Sequence, residues 1–383
     1  MARLKYWVWL SCVSGVRPIV KYRLAEAMGG PERLFFADKE TLLAAGTPLQ
    51  PREADKLMDK SLELPAKVLA FCEREHISVV TVQDALYPER LRHIPDPPAV
   101  LYVWGRLPAV DERLFLAVVG TRKATPYGIR MAEKIGREIA LGGGIVVSGL
   151  AEGCDSEAMR AALRAGGTVV GVLGTAIDQV YPAKNRELFE DVKAHGALVS
   201  EYPPGLRTFP GDFKARNRII TGLSLGVAVV EAPLRSGTRS TADHALEQGR
   251  DVFAVPGSVD AYASEGCNEL IAQGAVPITG GEDVLRAYGN RTDLFRQEIG
   301  CIHIKKEIDK PRDIVYIDDT DKMKDLPETQ RKVLSVMTRP DMHADEIIRA
   351  ADLSASETLA ALTMLQVAGH VVQGVGKRYT RKL

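Results

Sequence analysis

The sequence is poor in the groups that usually announce chemistry. Five cysteines (Cys12, Cys72, Cys154, Cys267 and Cys301) are scattered with no Cys-x-x-Cys pair. An odd number at wide spacing favours neither a disulfide framework nor a zinc site and fits a reducing cytoplasm. Histidine is scarce too: of seven in the chain, only His195 and His244 fall in the central region. Neither stands in a loop that follows an apolar run, and Cys154 has no base near it in sequence, so no nucleophile–base pair presents itself. An excess of one charge is absent, since fifty Lys plus Arg balance fifty Asp plus Glu. A nucleic-acid role therefore cannot rest on net charge and needs cations gathered locally. No run approaches the roughly 18 consecutive apolar residues of a membrane span. The first ten residues turn from basic to apolar, but Ser11 and Cys12 interrupt them and helical spacing follows, so no secretory signal is expected.

What is present is pattern. Residues 1–85 predict short helices: apolar positions recur at three and four residues through Val16, Ile19, Val20, Leu24 and Met28, and again through Leu57, Leu62, Val68, Leu69 and Phe71. Ser14-Gly15-Val16-Arg17-Pro18 before a helix is similar to a helix-hairpin-helix turn, whose backbone amides can hold a phosphate. Arg17 stands where the second hairpin glycine is usual, and a plain packing module is the alternative. A Pro-rich connector, His93 to Pro98, leads to the strand-like run Ala99 to Trp104 and marks a nearby boundary. From residue 113, apolar runs at 114–119, 145–148, 168–173, 197–200, 226–230, 251–255 and 275–278 alternate with helical stretches. That alternation predicts a Rossmann-like α/β domain with a mostly parallel sheet covered on both faces. Residues 291–325 carry eight Lys or Arg and nine Asp or Glu with few large apolar residues, the composition of a solvated linker. Beyond it, three helices and the hairpin-like Val371 to Tyr379 predict a winged helix, its third helix opened by the capping box Ser354-Ala355-Ser356-Glu357. That third helix, Ser356 to Ala368, has no Lys or Arg, which argues against a duplex-reading role.

Ligands of open α/β sheets sit beyond the carboxyl ends of the strands, so the strand exits carry the functional argument. The first exit is Gly120-Thr121-Arg122-Lys123, in which a glycine turn and helix amides face an anion beside two cations. The second, Ser148-Gly149-Leu150-Ala151, offers Ser148 where a dinucleotide-binding protein would place an acidic ribose ligand, and no Gly-x-Gly-x-x-Gly follows the first strand. Gly142-Gly143-Gly144 lies before a strand and acts as a helix stop. No nicotinamide or other cofactor is expected. Further exits are Gly174-Thr175-Ala176-Ile177-Asp178 with Tyr181-Pro182, and Ser200-Glu201-Tyr202-Pro203-Pro204. Phe213-Lys214-Ala215-Arg216-Asn217-Arg218 then places three cations and an aromatic before an apolar helix start; Arg suits phosphate and Phe suits base stacking. Because Arg216 and Arg218 point to opposite sides of an extended segment, a pair bridging carboxylates inside the domain is the competing reading. Ser236-Gly237-Thr238, flanked by Arg235 and Arg239, opens another helix as a phosphate cradle or a simple N-cap.

The ordered series Gly120-Thr121-Arg122, Ser148 to Ala151, Tyr181-Pro182 with Asn185, Ser200 to Pro204, Arg216-Asn217-Arg218-Ile219-Ile220, Glu231-Ala232 with Ser236-Gly237-Thr238, Val255-Pro256-Gly257 and Gly266-Cys267-Asn268 resembles the DNA-processing protein A (DprA/Smf) family. The likeness spans about Pro97 to Val284. It implies a Rossmann-like core that binds single-stranded DNA non-specifically, forms a homodimer through that core, and helps load the RecA recombinase; the lack of long apolar runs and of a catalytic set at the strand exits adds the expectation of no membrane partner and no enzymatic activity. DNA contacts would fall on Arg122 and the Phe213 to Arg218 segment. Lys214 departs from the family's usual proline, leaving the orientation of Phe213 open; Cys154 replaces a usual isoleucine, an expected packing change. The resulting division is a SAM/helix-hairpin-helix-like helical domain at 1–85, a Rossmann-like DNA-binding core at 86–290, a linker at 291–325 and a winged helix at 326–383. The expected contact set is Arg122, Lys123, Ser148, Gly149, Phe213, Lys214, Arg216, Asn217, Arg218, Ser236, Gly237 and Thr238. The rival from another class is a Rossmann-like nucleotide phosphoribohydrolase, but Thr241 stands where such enzymes carry their catalytic Glu.

Overall fold

A computed structural model of the chain describes residues 3–207, 209–289, 327–337, 342–351, 353–368, 370–374 and 378–381. It forms two compact units, residues 1–306 and 307–383. The expected linker, 291–325, lies outside the described residues.

The first unit opens with short helices: α1 (Leu4–Cys12), α2 (Pro18–Ala27), α3 (Pro31–Phe36), α4 (Lys39–Leu43), α5 (Pro51–Lys56) and α6 (Glu63–Arg74). The three-and-four spacing is realised, with Val20, Leu24, Val68 and Cys72 turned inward and buried. The Arg17 turn is a packing element. Its guanidinium forks onto buried Glu53, with Nε to Oε1 at 2.8 Å and Nη2 to Oε2 at 2.9 Å. Glu53 also accepts from the Arg17 and Gln50 amides, at 3.1 and 3.0 Å, so this cation is committed inside the module.

The expectation of helices through residue 85 is corrected at Ile77–Thr81, which is strand β1. Helix α7 (Glu89–Arg92) and strand β2 (Val100–Gly105) follow, and β1 pairs antiparallel with β2. Its Ile-Ser-Val-Val-Thr composition is β-branched, the side-chain type that fits a pleated, half-buried surface.

The alternating region reads β3 (Phe115–Val119), α8 (Pro126–Leu141), β4 (Ile145–Ser148), α9 (Cys154–Arg164), β5 (Val169–Val172), α10 (Arg186–His195) and β6 (Ala197–Ser200). It continues α11 (Asp212–Leu223), β7 (Gly226–Val229), α12 (Gly237–Glu247), β8 (Asp251–Ala254), α13 (Glu265–Ala272), β9 (Val276–Pro277) and α14 (Gly281–Tyr288). Each predicted apolar run carries its strand. The sheet order is β1-β2-β6-β5-β4-β3-β7-β8-β9, with β3 to β9 pairing in parallel and β2 antiparallel to β6. The chain thus winds one way from β3 through β6, then restarts at β7 on the other side of β3, the switch that opens a crevice at the carboxyl edge. Every residue of β3 is buried, as a strand covered on both faces requires. Helix α8 buries Ala132, Ile135, Gly136 and Ile139; a Cβ on Gly136 would come within 2.1 Å of the Ala158 carbonyl, so glycine brings α8 and α9 into backbone contact. One apolar core runs from Tyr6 and Trp9 through the strands to Tyr288, shared by the helical segment and the sheet.

The second unit is a winged helix: α15 (Glu328–Val336), β10 (Met342–His343), α16 (Ala344–Ala351), α17 (Ala355–Val367), β11 (Val371–Gly374) and β12 (Arg378–Arg381). Its strands order β10-β12-β11, and it has its own core around Leu334, Ile347, Leu362, Leu365 and Tyr379. The Ser354–Glu357 capping box is formed in both directions.

The Arg17 hydrogen bonds hold the Glu53 carboxyl down at about 2, against an ordinary 4.5. A carboxyl depressed in the folded state contributes stability that is present above its unfolded value and lost as pH falls toward the folded one. Because Arg17 is half-exposed and screened, the contribution is about 1–2 kcal/mol. Urea titrations should show Glu53→Gln less stable than the parent at neutral pH by that amount, with the difference shrinking below about pH 4.5 and gone near pH 2.

Candidate functional site

The β3–α8 loop is fixed by buried carboxylates. Asp155, in the first turn of α9, accepts from the amides of Gly120 (3.3 Å) and Gly149 (3.1 Å), tying the exits of β3 and β4 together. Glu231, at the exit of β7, accepts from the Thr125 amide (2.8 Å) and hydroxyl (2.6 Å), while its own carbonyl takes the Thr121 amide at 2.7 Å. Gly153, at φ +85°, lets α9 begin directly beneath: a Cβ there would lie 2.3 Å from the Thr121 carbonyl. Cys154 is buried against Gly120, and burial pushes its thiol well above the ordinary range, so it fills space as expected. Between the pinned ends stand Arg122 and Lys123, both exposed and without an ion-pair partner among the described residues.

The segment from Phe213 to Arg218 lies inside α11, where the sequence predicted an extended approach to a helix. Residues three or four apart share a helical face, so Phe213 goes with Arg216, and Lys214 with Arg218. Arg216 is buried and its Nη1 donates to the carbonyls of Gly149, at 3.1 Å, and Val172. Gly149 makes room for it, since a Cβ there would lie 2.5 Å from Nη2. Burial pulls the Arg216 guanidinium down to about 10, with Asp155 opposing and Arg122 adding repulsion. Burial also raises the Asp155 carboxyl, opposed first by Arg216. At neutral pH the guanidinium keeps its charge.

A pocket of about 250 Å³ opens above these groups. Its cations are Arg122, Lys123 and Arg216, with Gly149 and Ala151 also in its lining. Its aromatic wall is Phe213 and Tyr181, with ring centroids 5.0 Å apart and planes inclined by 47°. Phe213 rests on Gly174, whose Cβ would come within 2.7 Å of the ring, so Lys214 in place of proline leaves a defined Phe213. The loop beneath is held at Leu150, which adopts φ +53°, a conformation costly for a non-glycine residue; Asn185 Nδ2 donates to its carbonyl at 2.8 Å. Tyr181, Ala151 and Glu152 also line the pocket but were not in the expected contact set; Tyr181 and Ala151 were signalled by strand-exit loops and by the family-like series, Glu152 by its loop alone.

The structure does not bring the whole predicted set together. Arg218, 4% exposed, forks onto Glu201 at 2.9 and 2.8 Å and donates to the Asp96 carbonyl at 2.9 Å, so it braces the fold. The pair-bridging alternative holds for this arginine. Ser148 is buried and donates to the Val118 carbonyl at 2.6 Å, a strand-to-strand tie. Asn217 accepts from Arg216 Nε at 3.2 Å and so orients the pocket floor. Lys214 is exposed on the other helical face. Ser236, Gly237 and Thr238 stand at the exit of β7, across the switch from the pocket; Thr238 is buried, and the neighbouring Arg239 is engaged by Glu269 at 3.1 Å.

Residues 78–289 match the family described as DNA recombination-mediator protein A, and 319–377 match the DprA winged helix domain. The chain is 35% identical to Protein Smf of Synechocystis sp. over 98% of each chain. It is 40% identical to the DNA processing protein DprA of Bacillus subtilis over 60% of this chain and 78% of that one. Its fold is similar to the X-ray structure of DprA from Streptococcus pneumoniae, with TM-score 0.64 and 33% identity over 74% of this chain and 97% of that one. It is also similar to Helicobacter pylori DprA, a structure described for its single-stranded DNA binding mode, with TM-score 0.50 and 30% identity over 56% and 96% of the two chains.

Arg218→Leu leaves Glu201 buried without its partner and should lower the unfolding free energy by about 3–5 kcal/mol in urea. Gly149→Ala drives a methyl into the Arg216 guanidinium and should cost about 1–3 kcal/mol by the same measurement; an unchanged midpoint would show that Arg216 is not held at the strand exits.

Proposed function

The chain belongs to the DNA recombination-mediator protein A family, and from that footing we propose that its strand-end pocket binds single-stranded DNA non-specifically. Arg122 and Lys123 take phosphates, buried Arg216 supplies fixed positive charge from below, and Phe213 with Tyr181 gives a base a face to stack on. The observation that carries the proposal is the juxtaposition of unpaired exposed cations and an aromatic wall in one pocket. Phosphate contacts carry no sequence information, and stacking accepts every base, so such a site is indifferent to sequence. An unstacked base is available in a single strand and hidden in a duplex, which sets the preference. Gly149 gives the Arg216 guanidinium its room beneath the pocket. Ser148, Asn217 and Arg218 act on the site indirectly, through the strand exits and α11. Lys214 and the Ser236-Gly237-Thr238 turn meet a strand only where it extends past the pocket. The same reading has the bound strand passed to RecA recombinase by a homodimer formed through the core, in the cytoplasm during DNA uptake and recombination. Faster RecA assembly on single strands in the presence of the protein is the measurement for that step.

Binding should be followed by anisotropy on single-stranded and duplex oligonucleotides across salt concentrations. Arg122→Glu is expected to weaken single-strand binding and to flatten the slope of log K against log salt by about 0.7 for each phosphate that is no longer neutralised. Phe213→Ala should cost about 1–3 kcal/mol with the slope unchanged. Equal affinity for duplex, or an affinity independent of salt, would sink the proposal.

A further inference from the structure

A second basic surface lies outside the pocket, on the solvent side of the seam between α8 and α9. Arg130, Lys134 and Arg137 occur at four- and three-residue steps, so they form one stripe along α8. Arg164 faces them from the end of α9, bridged to Glu133 at 2.9 Å. Together they wall a groove of about 370 Å³ whose floor is Ala161 and Ala165. The floor is shallow because the Gly136–Ala158 contact draws the helices together. Glu133 is the one carboxylate lining the groove, against four cations; of these Arg137 also meets Glu138 at 4.0 Å and Lys134 donates to the Thr279 carbonyl at 2.9 Å, while Arg130 has no ion-pair partner among the described residues.

The groove is continuous with the pocket along the chain. Arg122 and Lys123 precede the first turn of α8, and Glu152 precedes α9, so both helices begin at the pocket rim and run away from it. The stripe starts about one turn into α8 and, from Arg130 to Arg137, descends about 10 Å. Resting on the single-strand reading of the pocket, we propose that this groove is the exit track for the same strand, holding its phosphodiester backbone by charge alone. An acidic protein segment is the poorer fit. Its affinity would need a buried aromatic or aliphatic anchor, and the groove offers two alanines between alkyl stems and charged heads. A backbone with its bases turned to solvent needs no such anchor. The pocket would then set the preference for unpaired bases, and the track would add length-dependent affinity.

The test compares oligo-dT of about six nucleotides, enough for one pocket, with oligo-dT of about twenty. The full chain carries Arg130→Glu with Arg137→Glu, both exposed side chains. The expected result is unchanged affinity for the short strand, at least a tenfold loss for the long one, and a salt slope shallower by about 1.4 for two phosphates left unneutralised. Arg130→Gln with Arg137→Gln should move the long strand in the same direction by less, and serves if the charge reversal disturbs folding in a thermal melt. If the long strand is unaffected while Arg122→Glu abolishes its binding, the track is wrong and the pocket stands. If Arg122→Glu also changes nothing, the pocket falls and the track with it. A poly-glutamate peptide that binds as tightly as the long strand, and no longer binds the double variant, would overturn the track in favour of an acidic protein partner.

Discussion

Two buried carboxylates hold the carboxyl edge of the sheet in its working shape. Asp155 joins the exits of β3 and β4, and Glu231 joins those of β3 and β7. Between them they satisfy backbone amides that a glycine-rich turn would otherwise leave unpaired beside the core, where an unmade hydrogen bond is strongly unfavourable. Neither can be an ordinary surface acid. Asp155 is placed by the start of α9 and Glu231 by the end of β7; Gly128 closes over the Glu231 carboxylate, and Gly153 lets the Thr121 carbonyl approach the start of α9. The backbone on either side of the exposed Arg122–Lys123 tip is pinned in consequence, so meeting an anion costs these cations side-chain freedom but little backbone freedom.

Three arginines close in sequence or space meet three different fates, and solvent decides among them. Arg122 keeps its hydration and its freedom to pair with a ligand. Arg216 surrenders water, takes carbonyl acceptors at two strand ends, and is kept charged near Asp155. Arg218 is fully committed to Glu201 and the Asp96 region. A positive residue count over the segment would treat them alike. What separates them is the 3.6-residue period of α11, which turns alternate positions toward the pocket and toward the first unit's interior.

The fold was largely legible because its signals are periodic. The apolar runs at 114–119 through 275–278 all became strands, and the Gly142-Gly143-Gly144 stop ended α8 at Leu141. Strand β1 escaped because it lies at the edge, where half-exposed positions blur alternation and the helical pattern of α6 runs up to it. The site was legible in outline: Arg122, Lys123, Gly149, Phe213 and Arg216 do converge. Arg218 and Ser148 lie away from the pocket because they are held by Glu201, Asp96 and the Val118 carbonyl; carboxylate bridging was the competing reading for Arg218, and burial, invisible in a linear string, decides for it. Tyr181 was legible as part of a loop but had no role until Phe213 was found beside it.

The sheet's margins are closed by unlike means. On one side β1 covers the backbone of β2, whose residues Val100 to Val103 are buried. On the other, β9 is two residues long and ends in Pro277, which has no amide to offer. An open, apolar margin is a template for a second chain's strand, and short or proline-bearing edges deny it. Removing the helical segment together with β1 would therefore do more than shorten the protein: it would uncover an apolar strand with free hydrogen-bonding groups and turn a self-contained sheet into one that can grow by addition.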